Sequence, residues 1–126
     1  MNYEEALSSH LQWKFQLRTF LSTGKTGAFD ICVAHLDDRC ELGRWIYWGM
    51  TRHGQADPDL VDLRAAHAAF HLHVGEIIRI GEVDPAKARL LLDGSTFMGL
   101  TAEIISCLYR LKQKHVLETH SRTASA

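Results

Sequence analysis

His67 and His71, in the run His67-Ala68-Ala69-Phe70-His71, are the first residues here whose types and spacing could do chemistry. At positions i and i+4 of a helix two imidazoles stack on one face about one turn apart and reach the same ion, and two alanines between them leave room for it. Taken alone, the pattern is weak, because core and surface histidines produce it too. His67 nevertheless falls on a seam of apolar residues, and so does His10. A buried imidazole needs partners for both of its nitrogens. A tetrahedral zinc site asks for more than two imidazoles and draws on cysteine thiolate, histidine and carboxylate. His10 and Cys40 are the best further candidates, and Glu76 and Glu103 compete from more polar positions. One cysteine with three histidines would close the coordination sphere, so the site would be structural or regulatory rather than hydrolytic, and no catalytic residue is assigned.

These residues must be positioned by helices. From Tyr3 to Leu21 the positions Ala6, His10, Trp13, Leu17 and Phe20 recur at three- and four-residue spacing, the mark of an amphipathic helix that ends at Ser22-Thr23-Gly24. The stretch through Gly27 is turn-like. Phe29 to Asp38 has no clear period and reads as a short helix or an ordered loop. Cys40 to Gly49 is a compact aromatic-rich segment holding Trp45, Tyr47 and Trp48, and a polar loop, Thr51 to Asp57, follows it. A long helix then starts near Asp59 with Pro58 just before it and acids in its first turn. Its seam is Leu60, Leu63, His67, Phe70, Val74 and Ile77 or Ile78, and it stops around Gly81. Asp84-Pro85 is a cap followed by proline at the first helical position. The pattern it opens runs through Ala88, Leu91 or Leu92, Phe97, Leu100, Ile104, Leu108 and Leu111. Gly94 and Gly99 interrupt it, so it is one kinked helix or two with a tight link at Asp93-Gly94-Ser95. The expected architecture is all-α, an antiparallel four-helix bundle with an additional short helical segment over residues 1–117, and a flexible tail over 118–126.

Composition narrows the function classes. The chain has 126 residues, 46% hydrophobic and 23% charged, enough apolar side chain for the core of one domain. Fourteen Lys and Arg against fifteen Asp and Glu leave a formal net charge of -1, with no basic cluster, so no nucleic-acid partner is expected. No apolar run approaches the roughly 18 residues of a membrane span, and no signal peptide is visible, so a cytoplasmic location without membrane insertion is expected. Three cysteines at wide spacing argue against a disulfide scaffold. A di-iron bundle would want Glu-x-x-His pairs that are not present.

Three motifs in order, His10-Leu11-Gln12-Trp13, Cys40-Glu41-Leu42-Gly43-Arg44-Trp45 and His67-Ala68-Ala69-Phe70-His71, resemble the chemoreceptor zinc-binding (CZB) domain of bacterial signalling proteins. That family's pattern is H-x-x-W, then C-x-L-G-x-W, then H-x-x-x-H, with loops of a few tens of residues between them. The match covers His10 to His71 by motif, and the rest is similar in layout only. The resemblance implies that the zinc ligands are His10, Cys40, His67 and His71, that the cofactor is Zn2+, and that the domain acts as a homodimer. It also implies a sensor, not an enzyme, in which zinc occupancy, or oxidation of the zinc-bound cysteine by hypochlorous acid and similar oxidants, shifts the helices and alters a linked output. Family members usually carry this domain on a chemoreceptor, a diguanylate cyclase or another signalling module. Here nothing is appended, so if these 126 residues are the whole protein the output passes through a separate signalling protein of a chemoreceptor or diguanylate cyclase pathway.

Two other readings stand beside the sensor: a zinc-stabilised or metal-free structural adaptor, and a small metalloenzyme with an open metal position. Trp13 and Trp45 are expected to pack around the ligands, and Gly43 to permit a close helix approach beside them. Tyr47 and Trp48 are core or partner surface. His35, His53, His73, His115 and His120 are expected to be solvated, His73 pointing away from the His71 face. Cys32 and Cys107 are expected to be small apolar residues, with Cys32 a resolving thiol if it lies near Cys40.

Overall fold

The computed structural model describes residues 3–24, 32–53 and 57–125, with the side chains from 115 onward excepted. They form α1 (Tyr3–Thr23), α2 (Glu41–His53), α3 (Pro58–Gly81), α4 (Pro85–Leu92) and α5 (Ser95–Ser125), with no strand among the described residues. The all-helical expectation holds. The turn through Gly27 and the residues 29–31 lie outside the described residues, as do the side chains of His115 and His120 and those of the expected tail at 118–126.

α3 is the organising helix, because it packs against every other helix. Its sequence explains this. Buried Leu60, Leu63, His67, Phe70, Val74 and Ile77 form one stripe, and buried Ala66, His71 and Ile78 widen it into a face that several neighbours can share. The helix opens one residue before Asp59. Pro58 takes the first helical position and the Asp57 carboxylate caps it, accepting the Asp59 N–H at 3.0 Å. Asp57 and Asp59 also take Lys114 at 2.8 and 2.7 Å, and Asp59 takes Arg110 at 2.8 Å, which fixes α5 against this end of α3.

α1 runs antiparallel to α5. The Tyr3 hydroxyl donates to the Leu111 carbonyl and Glu4 pairs with Lys112 near one end, while Arg18 pairs with Asp93 at 2.7 Å near the other. α4 begins as the Asp84-Pro85 pair predicts, with the Asp84 carboxylate accepting the Lys87 N–H at 3.1 Å. Of the two alternatives left for the C-terminal pattern, two helices is the one found: α4 and α5 are bent by 41° across Asp93-Gly94. No single helix among the described residues is long and apolar enough to cross a membrane.

Between α1 and α2 the described residues from Cys32 to Cys40 are successive turns rather than a helix, with the Leu36 N–H donating to the Val33 carbonyl at 3.0 Å. Two glycines let this segment lie on the helices. A Cβ on Gly43 would stand 1.7 Å from the Asp37 carbonyl oxygen, and one on Gly75 would stand 2.6 Å from His35 Cβ. Gly43 therefore admits a loop carbonyl, and because a Cβ there would also stand 3.1 Å from His67 Cε1 it permits the expected close approach of α2 to α3 beside the candidate ligands. Cys107 is fully buried as expected, but Cys32 is exposed and fills no core space.

Phe70 lies at the centre of the core with its ring 4.7 Å from His10 and 5.3 Å from Phe97. Truncating it in Phe70→Ala leaves a cavity between α1, α3 and α5, for which a loss of about 3–5 kcal/mol is expected in urea denaturation.

Candidate metal centre

The four candidate ligands are presented by three local devices. His10 faces inward from α1 because it shares a face with Ala6, Leu17 and Leu21. His67 and His71 stack one turn apart on α3, with rings 4.5 Å from each other. Cys40 immediately precedes α2, where the Gly43 N–H donates to its sulfur at 3.3 Å. The three imidazoles are at most 4% exposed, and the thiol is half-buried.

The structure brings all four residues together. Their ligand atoms lie within 4.8 Å of one another, and Glu76 and Glu103 are exposed and outside the group. Cys40 Sγ is 3.2 Å from His67 Nε2 and 3.5 Å from His71 Nε2, and the two Nε2 atoms are 3.1 Å apart. A tetrahedron built on zinc–nitrogen bonds of about 2.0–2.1 Å and a zinc–sulfur bond of about 2.3 Å has edges of roughly 3.3–3.6 Å. The three separations among Cys40, His67 and His71 are close to those edges, and His10 completes the group within 4.8 Å.

Hydrogen counting gives an independent test of fit. His71 Nδ1 lies 2.8 Å from the Ala34 carbonyl, which can only accept, so Nδ1 carries the hydrogen and Nε2 turns a lone pair toward the group. His67 Nε2 has one hydrogen at most, for the sulfur or for His71 but not for both. His10 Nε2 is buried with no hydrogen-bond partner among the described residues. A lone pair from His71 and a buried His10 nitrogen without a partner among the described residues meet at one point, which a cation would satisfy, and the donor set fits zinc.

A family profile described as chemoreceptor zinc-binding domain matches residues 10–78, more than half of the chain. The chain belongs to that family. Neither a comparison with curated proteins nor one with solved structures returns a match.

The electrostatics of this chemoreceptor zinc-binding domain favour metal over protons. Burial, with His71 nearby, pushes the His10 imidazole down to about 3, and burial among His10 and His71 pushes His67 down to about 2. Burial lowers His71 as well, opposed by its bond to Ala34 and by the Asp37 carboxylate. Burial raises the Cys40 thiol, opposed by the backbone N–H groups at the start of α2. All three imidazoles are therefore neutral ligands at pH 7, and the thiol holds a proton that a metal must displace.

Several supporting residues had no signal in the sequence. The Ala34 carbonyl that orients His71 sits in an aperiodic segment, and only the chain path brings it there. Asp37 accepts the Tyr47 hydroxyl at 3.1 Å, which tethers the same segment to α2. Trp13 packs edge-on to His71 with centroids 5.3 Å apart, as expected of it, and Trp45 packs edge-on to Tyr3 with centroids 5.9 Å apart. His73, expected to be solvated, is half-buried with its Nε2 enclosed. A cleft of about 360 Å³ lined by Gln12, Trp13, Gln16, Arg39, Cys40 and His71 opens onto the group from outside.

Two pH effects follow. Zinc uptake near pH 7.5 is expected to release about one proton, from Cys40, and calorimetry in buffers of different ionisation enthalpy measures it; release of none, or of three or more, would contradict the protonation states above. In the metal-free chain the unfolded imidazoles bind protons near pH 6.5 while the folded ones resist them. Stability is then full above that value and falls as the pH drops from 6.5 toward 3, as denaturant midpoints across that range report.

Proposed function

We propose that His10, Cys40, His67 and His71 hold one zinc ion and that the domain is a regulatory module whose output depends on the state of that site. The observation that carries this is the convergence of three imidazoles and one thiol within 4.8 Å of one another, with Cys40, His67 and His71 at separations near the edges of a zinc tetrahedron. Four protein donors leave no place for water or substrate, which favours regulation or structural support over catalysis. Zinc bound there would supply charge to hold Cys40 as thiolate, the reactive form of the side chain.

Cys40 is the half-buried member of the set and borders the cleft, so an oxidant from solvent reaches it first. Hypochlorous acid would oxidise its sulfur to the sulfenic acid and leave as chloride, giving a poorer ligand. Loss of that ligand frees the loop and the start of α2 from α3. We read α1, α2, α3 and the α4–α5 pair as walls of an antiparallel four-helix bundle acting in the cytoplasm as a homodimer. The displaced helices would be read by a signalling protein of a chemoreceptor or diguanylate cyclase pathway. A purely structural zinc is the second reading, favoured by the near-complete burial of the three imidazoles.

Metal content by mass spectrometry tests the site. About one zinc per chain is expected in the parent and almost none in His71→Ala or Cys40→Ala; no metal in the parent after zinc is supplied, or undiminished zinc in both variants, would overturn it. Graded oxidation with hypochlorous acid separates sensing from support. Zinc release in step with loss of the Cys40 thiol is the sensor's result, and zinc retained after the thiol is consumed is the structural one.

A further inference from the structure

The cleft that opens onto Cys40 has walls of a particular chemistry. Its volume of about 360 Å³ lies within the roughly 300–1,000 Å³ of small-molecule sites. One wall is α1 from Ser9 to Gln16, and the other is the turns from Val33 to Cys40 with Glu41 at the start of α2. Cys40 is the one cysteine that borders it among the described residues: Cys107 is fully buried on α5, and Cys32, although exposed, is not part of either wall. A sulfenic acid formed at Cys40 condenses with a thiol. With no second cysteine in the cleft, that thiol comes from solution, and the walls decide which thiols are admitted.

Arg39 and Glu41 flank Cys40 in the chain and both border the cleft, so a cation and an anion stand on either side of the sulfur. Arg39 touches Asp38 at 3.6 Å, but both side chains are more than half exposed, and a ligand carboxylate can replace so weak a contact. Across the cleft Gln12 and Gln16, one turn apart on α1, present amide groups, and Trp13 between them presents an aromatic ring. A carboxylate suits the Arg39 guanidinium, an ammonium suits Glu41, and peptide groups suit the two glutamine amides. A simple anion would be repelled by Glu41, and an apolar thiol would leave the polar groups of both walls without partners.

We infer that this cleft receives a small zwitterionic peptide thiol, of the glutathione type, which forms a mixed disulfide with oxidised Cys40. This rests on the oxidation of Cys40 proposed above. In that first step the Cys40 thiolate takes the hydroxyl of hypochlorous acid and chloride leaves, the sulfur losing two electrons to chlorine. The thiolate of the bound peptide then attacks the Cys40 sulfur. The S–S bond forms as the S–O bond breaks, the peptide sulfur is oxidised as the Cys40 sulfur is reduced, and the hydroxide leaves as water with the proton the peptide thiol gave up. The adduct stops Cys40 short of the irreversible sulfinic acid, and a second peptide thiol restores the Cys40 thiol by exchange.

The test treats the zinc-loaded full chain with equimolar hypochlorous acid and then with glutathione or, in parallel, with uncharged 2-mercaptoethanol. Mass spectrometry of peptides locates the adduct and times its formation, and a dimedone-quenched portion reports the sulfenic acid. Zinc content and helical circular dichroism are measured on each variant before oxidation. One glutathione is expected on Cys40. The ratio of the glutathione rate to the 2-mercaptoethanol rate is expected to fall roughly fivefold in Arg39→Glu, as loss of one exposed ion pair allows, and to stay near the parent's in Arg39→Lys. Glu41→Lys is expected to lower the ratio too; a higher ratio there would mean plain attraction of an anion and would overturn the zwitterion assignment. An unchanged ratio in Arg39→Glu, or an adduct confined to Cys32, overturns the site. Sulfenic acid trapped by dimedone at a Cys40 that glutathione does not modify overturns this inference alone, whereas a Cys40 that yields no sulfenic acid overturns the oxidant reading and this step with it.

Discussion

Three imidazoles and a thiol turned toward one another inside a small helical core are the constraint on which the rest of this structure depends. Burying a polar nitrogen without a partner costs roughly 1–3 kcal/mol, and here His10 Nε2 has none among the described residues while His71 Nε2 turns a lone pair inward. The segments they join are distant in sequence. His10 belongs to α1, Cys40 to the start of α2, and the histidine pair to α3, so whatever occupies their centre ties three helices together at one point.

The backbone around that point is arranged to hold the outer atoms of the candidate ligands. The turns from Cys32 to Cys40 cross α3 at Gly75 and α2 at Gly43, and at both crossings a side chain larger than hydrogen would collide with the loop. That close passage delivers the Ala34 carbonyl to His71 Nδ1 and fixes which of its nitrogens faces inward. It also places Cys40 at the first turn of α2, where backbone N–H groups soften the rise that burial imposes on the thiol. Two of the candidate ligands thus owe their orientation to one loop, and that loop owes its path to two glycines.

Much of this was legible because helical period and cap chemistry are local. The α3 seam, the Asp84-Pro85 start of α4 and the end of α1 near Gly24 were each readable within a turn or two of sequence, and His10 and His67 stood out because polar residues occupied apolar positions. The Cys32 to Cys40 turns were not, since nothing periodic marks a segment whose shape is set by the helices it crosses. Asp57 went unread as the cap of α3 because Pro58 looked like a residue outside the helix rather than its first position. At Asp93-Gly94 the sequence permits a kink or a link, and packing of α4 against α1 and α3 decides between them. Ala34's part at the metal centre could not be seen at all, because a backbone carbonyl carries no residue identity.

The central claim is that this core is completed by zinc on three nitrogens and one sulfur. X-ray absorption at the zinc edge of the loaded protein measures that directly. The account predicts a four-coordinate shell with three nitrogen scatterers at about 2.0–2.1 Å and one sulfur at about 2.3 Å. A shell of nitrogen and oxygen without sulfur, or one with a water oxygen in place of an imidazole, would contradict it.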